Sequence, residues 1–368
     1  MSEITVFWHE DALLHDTGEG VFEHPPSPLI EVSELHPEND VRIRNIRSAL
    51  RHGPIAPRLR LRDGRHATVE ELEMLHDPAY VRQVREFCEA GGGVVAWSTV
   101  VVPGSWPAAL AAAGTALAAC QAVIDGECPI SYALVRPPGH HAQPAMTDGY
   151  CLFSNTALAA ELAVRRGCQR VAIIDWDVHH GNGTQECFYR RPDVLTVSLH
   201  MPHGAWSDAH PQTGSPLEAG LGDGMGFNLN VEMPYGSGDL AHQAAMERVV
   251  EPVVDLFRPD LLLVAAGQDA NQFDPNGRQA VTMGGFRALG AIARRIADRH
   301  CDGRMVLVQE GGYARSYSAL CMHATLEGVL GVTDGLLADP MAFLPDDTTR
   351  ADRSIEASRG SMKRYWPL

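Results

Sequence analysis

Acidic and imidazole side chains recur directly after short apolar segments of this 368-residue chain. PPGHH follows YALVR, DWDVHHGNG overlaps the end of VAIID, GQDANQFDP follows LLLVAA, and EGGY follows MVLVQ. In open parallel α/β sheets, ligands bind outside the carboxyl ends of the strands. These polar segments therefore predict one chemical site at a shared edge of a sheet.

Asp177 and His179 are separated by one residue, which in extended backbone directs both side chains to the same face. Asp269, after another apolar segment, supplies a third ligand. Two carboxylates and one imidazole suit a mononuclear catalytic zinc ion with an open coordination position, and iron(II) or manganese accepts the same set. The pattern predicts a single Lewis-acid metal ion at these three residues.

His140 and His141 follow a Pro-Pro-Gly turn, and a pair of imidazoles beside a metal-activated water supplies a proton acceptor and a proton donor at neutral pH. The basicity of each ring depends on the partner of its second nitrogen, for which Asp175 and Asn182 are the candidates. Tyr313, after two glycines, is a candidate to stabilise an oxyanion with its phenol.

Glu310 lies beside this tyrosine in the EGGY segment. It either pairs with Arg136 or faces water, and the sequence does not decide between the two.

The elements that must position these residues alternate in type. Six apolar, β-branched runs predict strands at 132–136, 171–175, 194–199, 227–231, 261–266 and 305–309. Helical patterns are found at 107–124, 155–166, 239–257 and 284–300. This alternation is typical of a parallel sheet covered on both faces. Residues 1–65 are predicted to be irregular, and Thr68 to Glu71 to form a capping box.

Composition limits the class of protein. With 45% hydrophobic and 21% charged residues, the chain can bury a large core, and no linker or repeat divides it, so a single α/β domain over residues 1–368 is expected. Lys and Arg number 30 against 46 Asp and Glu, which argues against a nucleic-acid partner because such surfaces neutralise phosphates with basic side chains. The composition leaves open whether the chain forms a homo-oligomer.

The compartment is predicted from what the sequence lacks. The chain starts without a basic region followed by an apolar one, and we expect no stretch to approach the ~20 apolar residues of a membrane-spanning helix. Eight dispersed cysteines without a CxxC motif indicate reduced thiols. We expect a cytoplasmic protein with no membrane partner.

The same motifs carry a family resemblance. RPPGHHA (136–142), GYCLFSN (149–155), DWDVHHGNGTQ (175–185), TVSLH (196–200), residues 269–275 and EGGY (310–313) resemble, in order and spacing, the zinc-dependent histone deacetylase and acetylpolyamine amidohydrolase family. The resemblance covers about residues 68–325 and is that of a class II-like bacterial member, because Asn182 stands where class I members carry Asp. It implies an arginase-like single domain around an eight-stranded parallel sheet, with hydrolysis of an acyl-amine as the activity.

The resemblance also implies roles for individual residues. The zinc ligands would be Asp177, His179 and Asp269. The catalytic group would comprise His140 and His141, with Asp175 and Asn182 behind them, and Tyr313. The carbonyl of Gly149 would receive the substrate N–H. A structural potassium ion would be bound through backbone or side-chain oxygens of Asp175, Asp177, His179, Ser198 and Leu199.

Several positions depart from the family pattern, and they concern the substrate. Tyr150 and His210 replace the two phenylalanines that usually wall the tunnel, and Gln268 replaces an aromatic residue before the third ligand. Polyamine-selective relatives tend to place acidic groups at the mouth, but Asn276 follows Asp274 and Pro275 here. Other acidic residues in predicted loops are candidates for that role: Glu19, Glu23, Asp208 and Glu218.

The sequence leaves several functions to be weighed. The first is removal of an acyl group, most simply acetyl, from a lysine side chain, and the closest alternative is hydrolysis of an acetylpolyamine or another small N-acyl amine. A non-catalytic module that binds acylated ligands would not need Tyr313 and two histidines. A dinuclear arginase-type site would need a further carboxylate where Asn182 stands.

Overall fold

The structure, a computed structural model, describes residues 3–96, 99–202, 213–341 and 348–368. Eight parallel strands form its central sheet in the spatial order β6-β5-β4-β7-β8-β3-β1-β2. In chain order they are β1 (Ile4–Trp8), β2 (Leu59–Asp63), β3 (Ile130–Leu134), β4 (Val171–Asp175), β5 (Val194–His200), β6 (Asn228–Glu232), β7 (Leu261–Ala266) and β8 (Met305–Gln309). The predicted eight-stranded parallel sheet is confirmed.

Helices connect the strands. They are α1 (Val41–His52), α2 (Val69–Leu72), α3 (Pro78–Glu89), α4 (Ser105–Ile124), α5 (Asn155–Arg165), α6 (Asn182–Phe188), α7 (Asp239–Ala245), α8 (Glu251–Phe257), α9 (Met283–His300), α10 (Tyr317–Leu330) and α11 (Thr348–Met362). The helix predicted at 239–257 is interrupted by a π-helical turn, Met246–Val250. The capping box before α2 is present, with Thr68 and Glu71 each accepting from the other's backbone N–H.

Both faces of the sheet are covered because its strands are apolar on both sides. Along β4, Ala172 and Ile174 belong to one buried cluster, which includes side chains of α1, α9 and α10. Val171 and Ile173 belong to the other, formed with α4 and α5. Successive side chains of a strand point to opposite faces, so continuous apolar runs such as VAIID are required.

The register aligns the carboxyl ends of the central strands. Asp175, the last residue of β4, is paired with Ser198 of β5 and Ala265 of β7, and Ala266 is paired with Gln309 at the end of β8. The polar segments that follow these strands consequently start side by side. This is the edge at which the sequence places the site.

The expectation that residues 1–65 are irregular was wrong. They contain β1, α1 and β2, and also the short strand Glu19–Gly20, which pairs with Glu34–Leu35. β2 (LRLRD) is an edge strand with four exposed residues, so it lacks the apolar run that identified the central strands. A second antiparallel pair joins Gly93–Ala96 to Thr99–Val101.

Helix α4 corrects another expectation. By length and composition alone this 20-residue helix could cross a membrane, contrary to the expectation that no segment approaches that limit. In the fold, 72% of its most apolar window is buried. It packs against β3 and α5 as a helix of the core, starting two residues before the predicted Pro107.

Candidate active site

Asp177, His179 and Asp269 converge at the carboxyl edge of the sheet. All three are buried, and one potential ligand atom from each lies within 4.8 Å of the others. Nδ1 of His179 lies 3.1 Å from Oδ1 of Asp177 and 3.1 Å from Oδ2 of Asp269. The three residues predicted as metal ligands therefore form one compact group.

Backbone N–H groups orient the two carboxylates. Gly311 N–H donates to Oδ2 of Asp177 at 2.8 Å, and Val178 N–H donates to Oδ1 of Asp269 at 2.8 Å. A Cβ at position 311 would lie 2.2 Å from Oδ2 of Asp269, and one at position 267 would lie 2.2 Å from Oδ2 of Asp177. Glycine is thus required at both positions to leave room for the carboxylates.

The charge of this group fits a divalent cation. Burial, followed by the charge of Asp177, raises the pKa of Asp269 to about 8. Burial opposes protonation of His179, but the two carboxylates raise its pKa to about 10. Two buried carboxylates so close together need a positive charge between them, and oxygen and imidazole ligands in this number suit zinc or iron(II).

His140 is paired with a carboxylate. Its Nδ1 lies 2.9 Å from Oδ2 of Asp175, and its Nε2 lies 3.6 Å from Oδ1 of Asp177. Burial disfavours the charged ring, but Asp177 and Asp175 raise the pKa of His140 well above its usual value. His140 is therefore the ring of the pair that is favoured in its charged, doubly protonated form.

His141 is paired with an amide instead. Its Nδ1 lies 2.6 Å from Oδ1 of Asn182, whose Nδ2 donates to Oδ2 of Asp148 at 2.8 Å. Since the amide nitrogen faces Asp148, its oxygen faces His141, and Nδ1 of His141 must be the protonated nitrogen. Burial, followed by the charge of His140, lowers the pKa of His141 well below its usual value. Nε2 of His141 thus carries the lone pair of the neutral ring.

Tyr313 lies beside the metal-ligand group, with its ring 6.5 Å from that of His179. The guanidinium of Arg42 stacks 4.4 Å from the ring centroid, and Nε of Arg42 donates to the carbonyl of Gly312 at 2.6 Å. The backbone N–H of Tyr313 donates to Asp274 at 2.6 Å. Burial raises the pKa of the phenol well above its usual value, so the hydroxyl stays a hydrogen-bond donor.

Glu310 adopts neither of the two arrangements expected from the sequence. It is buried, and its carboxylate accepts hydrogen bonds from the backbone N–H groups of Gly139 and His140 and from the hydroxyl of Thr156. It therefore holds the backbone that carries the two histidines.

Arg136 pairs instead with Glu38, which also accepts from Arg42. This buried Arg42–Glu38–Arg136 network supports Tyr313 through Arg42. Burial opposes ionisation of Glu38, but the two guanidinium groups lower its pKa to about 2.

The predicted substrate-binding residues are described in part. Gly149 adopts φ +47°, and a Cβ there would lie 2.2 Å from the ring of His141, so only glycine fits. Tyr150 donates its hydroxyl hydrogen to Glu23 and accepts from Nδ2 of Asn276 at 3.0 Å. Its ring packs 5.6 Å from that of Tyr313. His210 lies outside the described residues.

Gln268 does not line the substrate wall, contrary to the expectation that its substitution bears on substrate choice. It is fully buried, and its Oε1 accepts from Nε2 of Gln309 at 2.8 Å. Gln309 in turn accepts from the hydroxyl of Tyr132 at 2.6 Å. The side-chain oxygen of Gln268 therefore finds its hydrogen-bond donor within the core, where Gln309 links it to Tyr132.

Two of the five residues predicted to hold a monovalent cation, Asp175 and Ser198, meet where β4 and β5 end. Asp175 and Ser198 are paired across the two strands and line a buried cavity of about 10 Å³, about the volume that one water-sized sphere occupies. Oδ1 of Asp175 accepts from the N–H of Asp177 at 2.9 Å. The space and its oxygen lining fit a small bound ion.

Sequence reasoning missed four supporting residues: Glu38, Arg42, Asp148 and Asp274. Asp148 and Asp274 lie within or next to the motif segments, so their position was a usable signal. Arg42 acts across 270 residues on Gly312, and no local pattern reveals such a partner.

Two carboxylates and one imidazole form a buried group suited to a metal ion. One neutral histidine, one charged histidine and a phenol lie next to it. This arrangement defines a metal-dependent amidohydrolase. Comparison with known proteins places the chain within that class. The family model described as the histone deacetylase domain matches residues 36–329. The chain therefore belongs to the histone deacetylase family.

Relatives of this chain come from plants and bacteria. It is 49% identical to histone deacetylase 8 of Arabidopsis thaliana, over 100% of this chain and 98% of that protein. It is 40% identical to a histone deacetylase-like amidohydrolase of Pseudomonas aeruginosa, over 91% of this chain and 88% of that protein. The crystal structure of the HDA15 HD domain superposes with a TM-score of 0.85 at 31% identity, covering 100% of this chain and 96% of that one. The arginase/deacetylase fold and the deacetylase class of hydrolase are confirmed.

Proposed function

We propose that this chain is a zinc-dependent hydrolase that removes an acyl group, most simply acetyl, from an acylated amine such as the side chain of acyl-lysine. The observation that carries the proposal is that two adjacent histidines beside one metal-ligand group have different hydrogen-bond partners. His140 faces Asp175 and His141 faces Asn182. Amide hydrolysis requires a base for the attacking water and an acid for the departing amine, and this pair provides both.

A zinc ion held by Asp177, His179 and Asp269 would polarise the acyl carbonyl and acidify a water molecule. Nε2 of His141 takes the proton of the attacking water, because its Nδ1 is committed to Asn182. A protonated imidazole of the pair then gives a proton to the departing amine, and His140 is charged for that role by Asp175 and Asp177.

Tyr313 donates its phenol hydrogen to the carbonyl oxygen as negative charge develops there. Asp274 and Arg42 fix the backbone and the ring of Tyr313, so the hydroxyl is oriented before the substrate binds. The carbonyl of Gly149 accepts the substrate N–H. We further propose a structural potassium ion at Asp175, Asp177, His179, Ser198 and Leu199, with the small cavity at Asp175 and Ser198 in support.

A dinuclear metal site is less well supported. Among the described residues, the active site gathers one group of three potential ligands, and the oxygen of Asn182 is already bonded to His141. A non-catalytic binding module is also disfavoured, since it would not need the buried acid, base and phenol together.

The test is to strip the protein of metal with a chelator and assay a fluorogenic acetyl-lysine substrate before and after adding one equivalent of zinc. We expect activity to be lost and restored in proportion to bound zinc, with Asp269→Asn binding no zinc at this site. A stripped protein that keeps full activity would contradict zinc dependence. A zinc-loaded protein inactive on acetyl-lysine, longer acyl-lysine and acetylated polyamines would contradict the acyl-amine assignment.

A small charged amine is a second candidate substrate, because the mouth of the site carries both signs of charge. A cavity of about 230 Å³ extends from His179 and is lined also by Glu23, Asn276 and Arg278. Of the acidic residues weighed from the sequence, Asp208 lies outside the described residues, and among the other three Glu23 lines this cavity. Its carboxylate suits an ammonium group of the substrate, and the guanidinium of Arg278 suits a carboxylate, as in free Nε-acetyl-lysine.

Glu23→Gln distinguishes the two candidates. If a charged small molecule is the substrate, KM for N-acetylputrescine and free Nε-acetyl-lysine should rise about tenfold, while KM for a neutral fluorogenic probe stays the same. Arg278→Gln should affect only the substrate with a carboxylate. Equal effects on all three substrates would rule out recognition of substrate charge at the mouth.

A further inference from the structure

We propose that His9, Asp11 and His66 form a second metal site, independent of the active site, for a divalent ion of the late first-row transition metals, zinc foremost. The group shares no residue with the active site. It combines residues that follow two different strands: His9 comes directly after β1, Asp11 comes three residues after β1, and His66 comes three residues after β2. Asp11 and His66 are 55 positions apart in the chain.

The three potential ligand atoms are already close together. Oδ2 of Asp11 lies 2.7 Å from Nε2 of His66 and 4.0 Å from Nδ1 of His9. One potential ligand atom from each of the three residues lies within 4.8 Å of the others. Metal–ligand bonds of about 2.0–2.2 Å in a tetrahedral site place the ligand atoms about 3.3–3.5 Å apart. Side-chain adjustments of less than about 1 Å would suffice to meet that geometry.

The two imidazoles lie close enough to bind one shared cation. Their ring centroids lie 4.7 Å apart, with the planes tilted by 42°. Nδ1 of His9 accepts a hydrogen bond from the backbone N–H of Asp11 at 3.1 Å, so the neutral ring carries its proton on Nε2 and its lone pair on Nδ1. That lone pair lies on the Asp11 side, and a metal ion would replace one hydrogen bond there.

The backbone on both sides is held firmly, as a specific metal site requires. The N–H of Gly64 donates to the carbonyl of Trp8 at 2.7 Å, and the N–H of Ala67 donates to the carbonyl of Leu110 at 2.8 Å. The segment around His66 also lies directly on α4, since a Cβ at Gly114 would come within 2.3 Å of its backbone. The neighbouring guanidinium of Arg65 is neutralised by Glu71, at 2.6 Å from both carboxylate oxygens.

The solvent exposure of the three side chains and the types of their ligand atoms indicate which ion the site would bind. The side chains of His9, Asp11 and His66 are 27%, 34% and 39% exposed, so an ion can enter from solvent and keep a bound water. Two imidazoles and one carboxylate select zinc, copper or nickel over magnesium or calcium, which prefer oxygen ligands. An ion there would tie the segment after β1 to the segment after β2.

The test counts metal ions in the full-length protein. Metal-free protein is titrated calorimetrically with zinc chloride, and cobalt(II) absorption reports the coordination geometry. We expect two ions per chain, with the weaker binding event lost in His66→Ala and in His9→Ala. In those variants deacetylase activity and the tighter event should stay unchanged, and the exposed His52→Ala serves as a matched control that keeps both.

Two outcomes would overturn the proposal. One is wild-type protein that binds a single zinc ion, and the other is a second event that survives with unchanged affinity in both His9→Ala and His66→Ala. Asp11→Asn provides a third variant if either histidine variant fails to fold. In Asp269→Asn the weaker event should remain, which separates this site from the catalytic one.

Discussion

Nδ1 of His141 lies 2.6 Å from the amide oxygen of Asn182, and the charge of Asp148 is held one residue further away by the amide nitrogen. The ring proposed as the base is therefore oriented by a neutral group, whereas its neighbour His140 faces a carboxylate directly. The order of amide and carboxylate behind His141 sets its basicity.

Exchanging those two groups should shift the pH dependence of activity. In the double variant Asn182→Asp with Asp148→Asn, the carboxylate contacts His141 directly and raises its pKa, so the acidic limb of the kcat/KM profile should move to higher pH by about one unit. Asp148→Asn alone removes the charge and should move that limb to lower pH. Profiles that coincide with wild type in both variants would show that His141 is not the base.

Tyr313→Phe should lower kcat on the order of 100-fold or more, with a smaller change in KM, because the phenol acts on charge that develops in the transition state. The aromatic ring that contacts Arg42 is kept, so the melting temperature should stay the same. Steady-state kinetics on an acetyl-lysine substrate is the measurement. A variant with near wild-type turnover would mean that the role of Tyr313 is misassigned.

Glu38→Gln should destabilise the fold by on the order of 3 kcal/mol, because it leaves two buried guanidinium groups, Arg42 and Arg136, without their carboxylate. The free energy of unfolding in urea measures the loss. Glu127→Gln removes an exposed pair with Arg62 and should change stability by less than about 1 kcal/mol. If the two substitutions lowered the free energy of unfolding by similar amounts, burial of the Glu38 ion pairs would not be the cause of their larger contribution.

His76 should make the fold sensitive to mild acid. Burial lowers its pKa to about 4, and the ring bridges Gln143 O at 3.1 Å and Ser154 N–H at 2.9 Å in its neutral form. Since the unfolded ring has a pKa near 6.5, the unfolded state binds more protons between about pH 6.5 and pH 4. The stability from neutral His76 is present above pH 6.5 and is lost as the pH falls towards 4.

The comparison is the unfolding free energy of wild type and His76→Gln at pH 7.5, 6 and 5. The wild type should lose more stability than the variant over this range, by about 2 kcal/mol between pH 7.5 and pH 5. Exposed His24→Gln should follow the wild type. Parallel curves for wild type and His76→Gln would show that this histidine does not contribute.

The sequence was most informative about the centre of the sheet. Strands β4, β7 and β8 are buried on both faces and therefore read as continuous apolar runs, and the polar residues after them mark the site. β2 was missed because it is an exposed edge strand, whereas β1 (ITVFW) is buried at all five positions and was missed although it carries an apolar run. Their register could be recognised only in the assembled sheet.

The side chains around the site were harder to predict than the site itself. Glu38 lies 98 positions from Arg136, so their pairing leaves no local signal. Gln268 immediately precedes a metal-ligand candidate, yet its side chain points into the core. Which side of a loop faces the substrate depends on packing from distant elements, and a pattern of neighbouring residues does not contain that information.

The order of the strands has a consequence for how the protein is made. β7 and β8 are the last strands to be synthesised, yet they lie in the middle of the sheet and separate β4 from β3. The histidine pair after β3 and the ligands after β4 thus cannot be brought together on a ribosome until residue 309 has emerged. In a nascent or prematurely terminated chain, the strands on either side of β7 and β8 would lack the two strands that join them into one sheet. Catalytic competence would therefore arise only near the end of translation.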